Sequence, residues 1–205
     1  MTDKPADYGM TTLWRKFWGY SWHERWFYGR CIVRGVLRFY QVDSPHLVLM
    51  GRGVIINKRN GRFTTGGVCV LHPACRLAIV GKGNEPAHLH IGAGTEIGDR
   101  TIINVSQQVE IGARCSISWD CDIMDTDFHQ IILVDGRRPL MSKPVLIEDD
   151  VWVGSHCLIL KGVTIGHHSV IAAGSVVRHD APPYSLMAGN PARRVGQIQD
   201  GSDKA

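Results

Sequence analysis

A six-residue repeat between Ile147 and Val177 is the feature that most constrains what this chain can fold into. A branched aliphatic residue recurs at every sixth position, and a compact residue stands four places after each of the first five. A period of six fits neither the 3.6-residue period of a helix nor the two-residue period of a half-buried strand. It is typical of a parallel β-helix, in which each hexad supplies one short strand and one corner and three hexads close a triangular coil. The aliphatic positions are Ile147, Val153, Ile159, Ile165, Ile171 and Val177, and the compact ones are Val151, Cys157, Val163, Ser169 and Ser175.

The repeat extends towards the N-terminus with two interruptions. Hexads begin at Ile91, after degenerate coils, and slip by two residues near 103–110, where we expect a bulge or short extrusion. The pattern stops at His129, where an inward aliphatic residue is expected, and resumes three hexads later at Ile147. We therefore predict an all-β hexapeptide solenoid with a projecting loop, and loops that break a solenoid are common positions for functional sites. The predicted boundaries are 1–48 for an N-terminal helical segment, 49–182 for the β-helix, about 129–146 for the projecting loop, and 183–205 for a C-terminal loop and tail.

Residues 11–42 differ in composition from the rest of the chain. Trp14, Trp18, Trp22 and Trp26 recur at four-residue spacing, and arginines follow at the same spacing. The pattern predicts one or two amphipathic helices, broken near Gly29 or Gly35. One interpretation is that they cap the open end of the solenoid, whose first coil exposes unpaired strand edges. The alternative is an anchor on an anionic membrane surface, since aromatic residues opposite basic ones suit that interface.

Charge and cysteine usage exclude several classes of protein. The net charge of +4 is too small to indicate a nucleic-acid partner, although it suits an anionic ligand. The polar start lacks the apolar core of a signal peptide, so we expect a cytoplasmic protein, held at the inner face of the cytoplasmic membrane if the anchor interpretation is right. The six cysteines include no CxxC pair, and we interpret them as reduced, compact residues that bind no metal.

Three features together resemble a known family. They are the hexads, the segment DTDFHQ, and the ending from VWVGSHCLILKG to AGNPARRV. From about Ile91 to Val195 the chain is similar to the hexapeptide-repeat acyltransferases, in particular to galactoside, maltose and polysaccharide O-acetyltransferases. The resemblance implies a left-handed β-helix, acetyl-CoA as acyl donor, a sugar acceptor, and a homotrimer whose active sites lie between subunits.

His129 is the candidate catalytic residue, because it stands where the repeat breaks and close to Asp125 and Asp127. A neutral imidazole can take a proton from a hydroxyl group, and a neighbouring carboxylate can fix its tautomer. The resemblance implies that a histidine in this segment is a general base in a direct transfer without an acyl-enzyme. It also implies an acceptor-binding asparagine near Asn104, although the spacing from Asn104 to His129 differs from the family's.

The resemblance also places the acyl donor along the C-terminal coils. Arginines at these positions suit the phosphates of the donor, whereas a lysine is common in the family where His179 stands, and a tryptophan can wall the groove or pack at a subunit interface. The implied contacts are Ser155, Ala173, Arg178, His179, Arg193 and Trp152.

Several functions remain open on this basis. The leading hypothesis is O-acetylation of a sugar hydroxyl in cell-envelope polysaccharide or glycolipid synthesis. N-acetylation of a nucleotide-linked amino sugar needs the same base and the same groove. A γ-class carbonic anhydrase shares the fold, but the spacing of His88, His90, His167 and His168 does not match its zinc triad. The last alternative is a non-catalytic scaffold.

Overall fold

Three parallel sheets wind around one core and form the predicted left-handed β-helix. The structure is a computed structural model, and it describes residue 19 and residues 21–199. Within residues 21–199 the first elements are helix α1 (Trp22–Leu37) and a 3₁₀ helix (Phe39–Gln41). The strands are β1 (Val48–Met50), β2 (Ile55–Arg59), β3 (Gly61–Thr65), β4 (Cys69–Leu71), β5 (Arg76–Val80), β6 (Ala87–Ile91), β7 (Glu96–Ile97), β8 (Ile102–Val105), β9 (Gln108–Ile111), β10 (Ser116–Ile117), β11 (Asp122–Met124), β12 (Val145–Ile147), β13 (Trp152–Val153), β14 (Leu158–Ile159), β15 (Thr164–Ile165), β16 (Val170–Ile171), β17 (Val176–Val177), β18 (Ser185–Gly189) and β19 (Ala192–Gln197).

Successive strands visit the three sheets in turn, so that three strands make one coil. Sheet A has the order β1-β4-β7-β10-β13-β16-β18-β19, sheet B the order β17-β14-β11-β8-β5-β2, and sheet C the order β15-β12-β9-β6-β3. All neighbours are parallel except β18 and β19. Each side of the triangle is thus one hexad, as the sequence predicts.

The inward aliphatic residues form three continuous stacks. In sheet B, for example, Ile103 lies in register with Ile123, and Ile123 with Ile159. All three are fully buried. Because full burial of one such side chain contributes about 1.5–3 kcal/mol, the stacks supply the main stabilisation of the coils.

The corners repeat as regularly as the strands. The fourth residue of the regular hexads has a positive φ, for example +59° at Arg100 and +57° at His156, and this conformation turns the chain. Where the fifth residue is a threonine or cysteine, its side chain donates a hydrogen bond to a backbone carbonyl of the next coil. Thr101 Oγ1 donates to Ser118 O at 2.9 Å, and Cys121 Sγ donates to Gly154 O at 3.2 Å. The six cysteines are free and buried, and four of them make this kind of bond: Cys75, Cys115, Cys121 and Cys157.

The irregular N-terminal coils owe their irregularity to longer strands. Strands β2, β3, β5 and β6 have five residues each and alternate buried and more exposed positions, so the hexad spacing is lost while the stacking is kept. The slip near 103–110 places Ser106 and Gln107 as two extra residues between β8 and β9. The prediction of a short extrusion there is therefore confirmed.

Residues 38–46 cover the edge of the first coil together with the C-terminal part of helix α1, where Gly35 lies against Val48 O of the edge strand β1. Arg38 donates to Val54 O at 2.6 Å, and Asp43 pairs with the backbone of Phe63 through both its N–H and its carboxylate. His46 bonds to Thr65 O at 2.8 Å. The prediction of a cap thus holds for the segment that follows the helix, because this segment satisfies edge groups that would otherwise be unpaired.

Helix α1 itself lies on the outer face of sheet A. Cys31 packs against Leu49, Val68 and Val70. The helix is unbroken, which corrects the predicted break near Gly29 or Gly35. Gly35 instead permits close packing, because a Cβ at this position would lie 2.0 Å from Val48 O. Trp14 and Trp18 fall outside the described residues, and no helix in the described part is long and apolar enough to cross a bilayer.

The C-terminal segment is also more ordered than the sequence predicts. Residues 183–205 were expected to form a loop and tail on account of Pro182, Pro183 and the Asn-Pro turn. The structure instead shows β18 stacked on β16, with Met187 in register with Ile171, and β19 returning antiparallel to it. The stacking of Met187 explains the difference, since it continues the inward column of sheet A by one more coil. Residues 200–205 lie outside the described part.

The corner hydrogen bonds can be tested at Thr101, which is fully buried. Thr101→Val keeps the shape of the side chain but removes both the bond to Ser118 O and the acceptor for the N–H of Cys121. We expect the free energy of unfolding to fall by about 1–3 kcal/mol in chemical denaturation. Thr101→Ser retains both bonds and is the control. Equal stability of the valine and serine variants would contradict a structural contribution of these bonds.

Candidate active site

A hairpin-like loop leaves the solenoid between β11 and β12, at the corner between sheets B and C. Ile147 lies directly in register with Ile111, so the inserted residues add no coil and project sideways. The two arms of the loop are joined at its base. Thr126 bridges Ser142, and the N–H of Asp127 donates to Met141 O at 2.9 Å. The projecting loop predicted at about 129–146 is therefore present, with its base a few residues earlier.

Lys161 fastens both arms of this loop to the next coil. Its ammonium group donates to the Asp127 carboxylate on one arm and to the carbonyls of Leu140 and Met141 on the other. The side chain is 19% exposed, so this ion pair is shielded from solvent more than an ordinary surface pair. The base of the loop is thus held in a fixed position relative to the solenoid.

Asp125 holds the opposite side of the base. Its carboxylate accepts the backbone N–H groups of Ser106, Gln107 and Gln108 at 2.6–2.8 Å, so it closes the turn created by the two extra residues of the preceding coil. The residue is fully buried. Burial raises the pKa of the Asp125 carboxyl, and the three amide donors oppose this rise.

His129 follows directly on this braced base, and its side chain is exposed. Its backbone N–H donates to Asp127 O at 2.7 Å, which fixes the start of the outward chain. Within residues 21–199 the imidazole has no hydrogen-bond or ion-pair partner. His129 is close in sequence to Asp125 and Asp127. In the structure, however, both carboxylates bind other groups. Their predicted contribution to the tautomer of His129 is therefore not seen in this geometry.

Asn104 lies beside the base of the loop. It is on β8 of sheet B, in register with Met124, the last residue before the loop. Its carbonyl accepts the N–H of Asp125 at 3.3 Å. The structure thus brings the predicted acceptor contact to the same side of the solenoid as the loop that carries His129.

The predicted donor contacts lie at two different corners. Ser155 and Ala173 occupy successive turns between sheets A and B, joined by the bond from Gly174 N to Ser155 O at 2.8 Å. Trp152, which is 54% exposed, lies on sheet A beside them. Arg178 and His179 follow β17 at the corner between sheets B and C, where the loop also leaves. Arg193 is on β19, paired with Ala188. One side of the triangle therefore separates the two groups.

A polar groove of about 760 Å³ runs along the corner between sheets C and A, away from the corner where the loop leaves. Nothing in the hexad pattern predicts it. His167 Nδ1 bonds to Glu148 at 2.9 Å, and this bond lowers the pKa of the Glu148 carboxyl. His90 also lines the groove, and burial lowers its pKa. Among the described residues no three His, Cys, Asp or Glu side chains are arranged to hold a metal ion.

Comparisons with known proteins agree with this architecture. Residues 144–179 match the family described as "Bacterial transferase hexapeptide (six repeats)". Over 116 residues the chain is 49% identical to galactoside O-acetyltransferase of Escherichia coli, which covers 56% of this chain and 56% of that protein. It is 30% identical over 169 residues to "Probable acetyltransferase Rv3034c" of Mycobacterium tuberculosis, covering 80% of this chain and 56% of that protein.

The chain thus spans about half the length of these curated relatives. Over a shorter stretch of 63 residues it is 46% identical to 2,3,4,5-tetrahydropyridine-2,6-dicarboxylate N-acetyltransferase of Brevibacillus brevis, covering 31% of this chain and 27% of that protein. Among solved structures, AntD, an N-acyltransferase from Bacillus cereus, superposes with a TM-score of 0.66 at 19% identity, over 81% of this chain and 88% of that one. That likeness concerns the fold.

The contacts of Asp125 predict a structural contribution to stability. In Asp125→Asn the three N–H donors face one carbonyl oxygen or an NH₂ group instead of a carboxylate. The variant therefore loses hydrogen bonds to a charged acceptor, which contribute about 1.5–3 kcal/mol. We expect the free energy of unfolding to fall by about 2 kcal/mol. Asp122→Asn, three residues earlier and half-buried on β11 of sheet B, is the control and should change stability little. Unchanged stability with reduced turnover would instead indicate that Asp125 acts on His129.

Proposed function

Because this chain is a hexapeptide-repeat protein similar to known acetyltransferases, we propose that it transfers an acetyl group from acetyl-CoA to a hydroxyl group of a sugar. The observation that carries the proposal is the loop between β11 and β12. It projects an exposed histidine, His129, from a base that Asp125 and Lys161 hold in place. An exposed imidazole that follows a fixed loop base and has no partner of its own among the described residues suits a general base.

The proposed reaction needs one proton transfer and no covalent intermediate on the protein. The imidazole of His129 takes the proton of the acceptor hydroxyl as the oxygen attacks the thioester carbonyl. The carbon–sulfur bond then breaks, and the thiolate of CoA leaves with the proton that His129 accepted. The acetyl group is thereby transferred directly to the sugar oxygen.

A site of this kind needs more than one subunit. His129 leaves the solenoid at the corner between sheets B and C, whereas Ser155 and Ala173 stand at the corner between sheets A and B. We propose that a homotrimer brings the loop of one subunit against the other corner of its neighbour. A closed ring of three copies is an ordinary assembly for such a heterologous contact. The pantetheine arm would follow Ser155, Ala173 and Trp152, and Arg178, His179 and Arg193 are the candidate phosphate contacts.

The acceptor we propose is a sugar hydroxyl, and the support is the 49% identity over 116 residues to a galactoside O-acetyltransferase. A second acceptor class is the amino group of a nucleotide-linked sugar. The fold shared with AntD favours it, since AntD has been solved with dTDP-4-amino-4,6-dideoxyglucose and coenzyme A. Both acceptors need the same base and the same donor groove, so the proposed mechanism is common to them.

The experiment that tests the function is a thiol-release assay with acetyl-CoA. The acceptors are free sugars and oligosaccharides, amino sugars, and nucleotide-linked amino sugars. Acetyl-CoA turnover with a hydroxyl acceptor supports the proposal, and product analysis by mass spectrometry after mild base separates O-acetyl from N-acetyl products. Turnover with amino sugars alone would replace the first acceptor class by the second. Absence of turnover across the panel would oppose both.

His129→Ala should lower kcat by roughly 10²–10⁴-fold, which is the usual contribution of a general base. The melting temperature should stay close to that of the wild type, because the side chain is exposed and has no partner within residues 21–199. Affinity for acetyl-CoA, measured by calorimetry, should also change little. His156→Ala and His167→Ala serve as parallel variants. A loss of turnover in one of these, with normal turnover of His129→Ala, would assign the base elsewhere.

Lys161→Met should lower kcat by up to roughly a hundredfold, since a displacement of the catalytic imidazole by about 1 Å can have an effect of that size. KM for acetyl-CoA should change little. Because Lys161 would act through the position of His129, the double variant Lys161→Met/His129→Ala should be no slower than His129→Ala alone. Lys58→Met is a matched control, as Lys58 also pairs with an aspartate, Asp43, in the segment that covers the first coil. Additive losses would mean that Lys161 acts independently of His129.

A further inference from the structure

Helix α1 carries two apolar stripes on opposite sides. One stripe, which includes Phe27, Cys31 and Gly35, faces the solenoid and packs against the outer face of sheet A. At 100° per residue the second stripe lies on the far side of the helix. Its side chains are 57–77% exposed, and they are Trp22, Trp26, Val33, Val36, Leu37 and, just beyond the helix, Tyr40. We call this second set the outer stripe.

Within residues 21–199 the outer stripe is largely exposed and lies away from the contact of the helix with sheet A. The cap of the first coil is formed by residues 38–46, and the contact with sheet A uses the other side of the helix. A soluble helix ordinarily presents charged or polar residues on its exposed side. A continuous row of tryptophan, valine, leucine and tyrosine on that side is therefore typical of a surface that binds something.

Basic side chains flank the outer stripe on both sides. Arg25 lies on one side, and Arg30 and Arg34 lie on the other; together with Trp26, Gly29 and Val33 they line a shallow pocket. The guanidinium carbon of Arg30 lies 4.2 Å from the centre of the Trp26 ring, so charge and aromatic surface are presented together. The helix contains one acid, Glu24, whose carboxylate is engaged with Ser21 in the capping box. The partner that fits is apolar at its centre and anionic around it.

We propose that helix α1 docks the protein on an anionic lipid surface through the outer stripe. Tryptophan and tyrosine favour the boundary between lipid headgroups and acyl chains, and arginines pair with anionic headgroups. A second copy of the same face fits less well, because two like-charged rows of arginine would meet. The four-residue tryptophan spacing continues in the sequence to Trp18 and Trp14, with Arg15 and Lys16 beside them, so the same chemistry extends beyond the helix.

Flotation with lipid vesicles tests this proposal on the full chain. The vesicles are phosphatidylcholine alone and phosphatidylcholine with one third phosphatidylglycerol. The wild type should float with the anionic vesicles, should remain at the bottom with the neutral ones, and should bind less as salt rises. Trp26→Glu/Val33→Glu should lower the vesicle partition coefficient at least about tenfold, since each substitution replaces an exposed apolar side chain that would enter the lipid by a charged one.

Ile55→Glu/Val195→Glu is the matched control, because it makes the same charge change at two exposed aliphatic residues on other faces. It should float like the wild type. The proposal is overturned if the wild type floats with neither kind of vesicle, if it floats equally with both, or if the outer-stripe variant still floats. A change in sedimentation mass of that variant, without vesicle binding by the wild type, would instead make the stripe an interface between copies of the chain.

Discussion

The stacking of one coil on the next in strict register is the constraint on which the rest of this molecule depends. Each inward aliphatic residue has a partner directly above and below it, as Ile123 has in Ile103 and Ile159. Corners whose fifth residue is a threonine or cysteine add a side-chain bond to the carbonyl of the following coil, as Thr101 does to Ser118. A change in the length of one side would shift every later residue out of its column. Insertions are tolerated only where the chain leaves and returns at the same corner.

Both departures from the repeat obey this rule, and both meet at one residue. The two extra residues after β8 bulge outward, and the long loop after β11 projects sideways, yet Ile111 and Ile147 stay in register. Asp125 is the first residue of the loop and also binds the three amides of the bulge below it. The bulge thus provides the binding pocket for the carboxylate that fixes the loop. The base of the loop is thus fixed to the coil beneath it.

Much of this architecture could be predicted from the sequence. The hexads from Ile91 onwards predict the coils, the two-residue slip near 103–110 and the projecting loop. They do so because burial restricts each inward position to an aliphatic residue, so a missing aliphatic marks a departure from the coil. The first coils were harder, since their five-residue strands keep the stacking but lose the period of six. The position of helix α1 was not predictable, as both of its sides are apolar and only the packing shows which one faces sheet A.

The candidate site was predictable in its location more than in its contacts. The break in the repeat singled out His129, but it also suggested that Asp125 and Asp127 serve the imidazole, whereas their partners are backbone amides and Lys161. Lys161 occupies an ordinary outward position of its hexad, and nothing in the local sequence distinguishes it from a solvated lysine. Its contact with the loop arises from the stacking of two coils that are separated by the whole insertion.

The way the loop is rooted has a consequence for how such a protein can diversify. Asp125 binds the coil below the loop and Lys161 the coil above it, so the two roots are secured without help from the tip. The segment between them, about residues 130–139, makes few contacts with the solenoid and can change in length and composition at little cost to folding. On the proposed function, acceptor preference could therefore evolve through changes in this segment alone. Relatives could also exchange the segment by grafting, while the stacked coils stay unchanged.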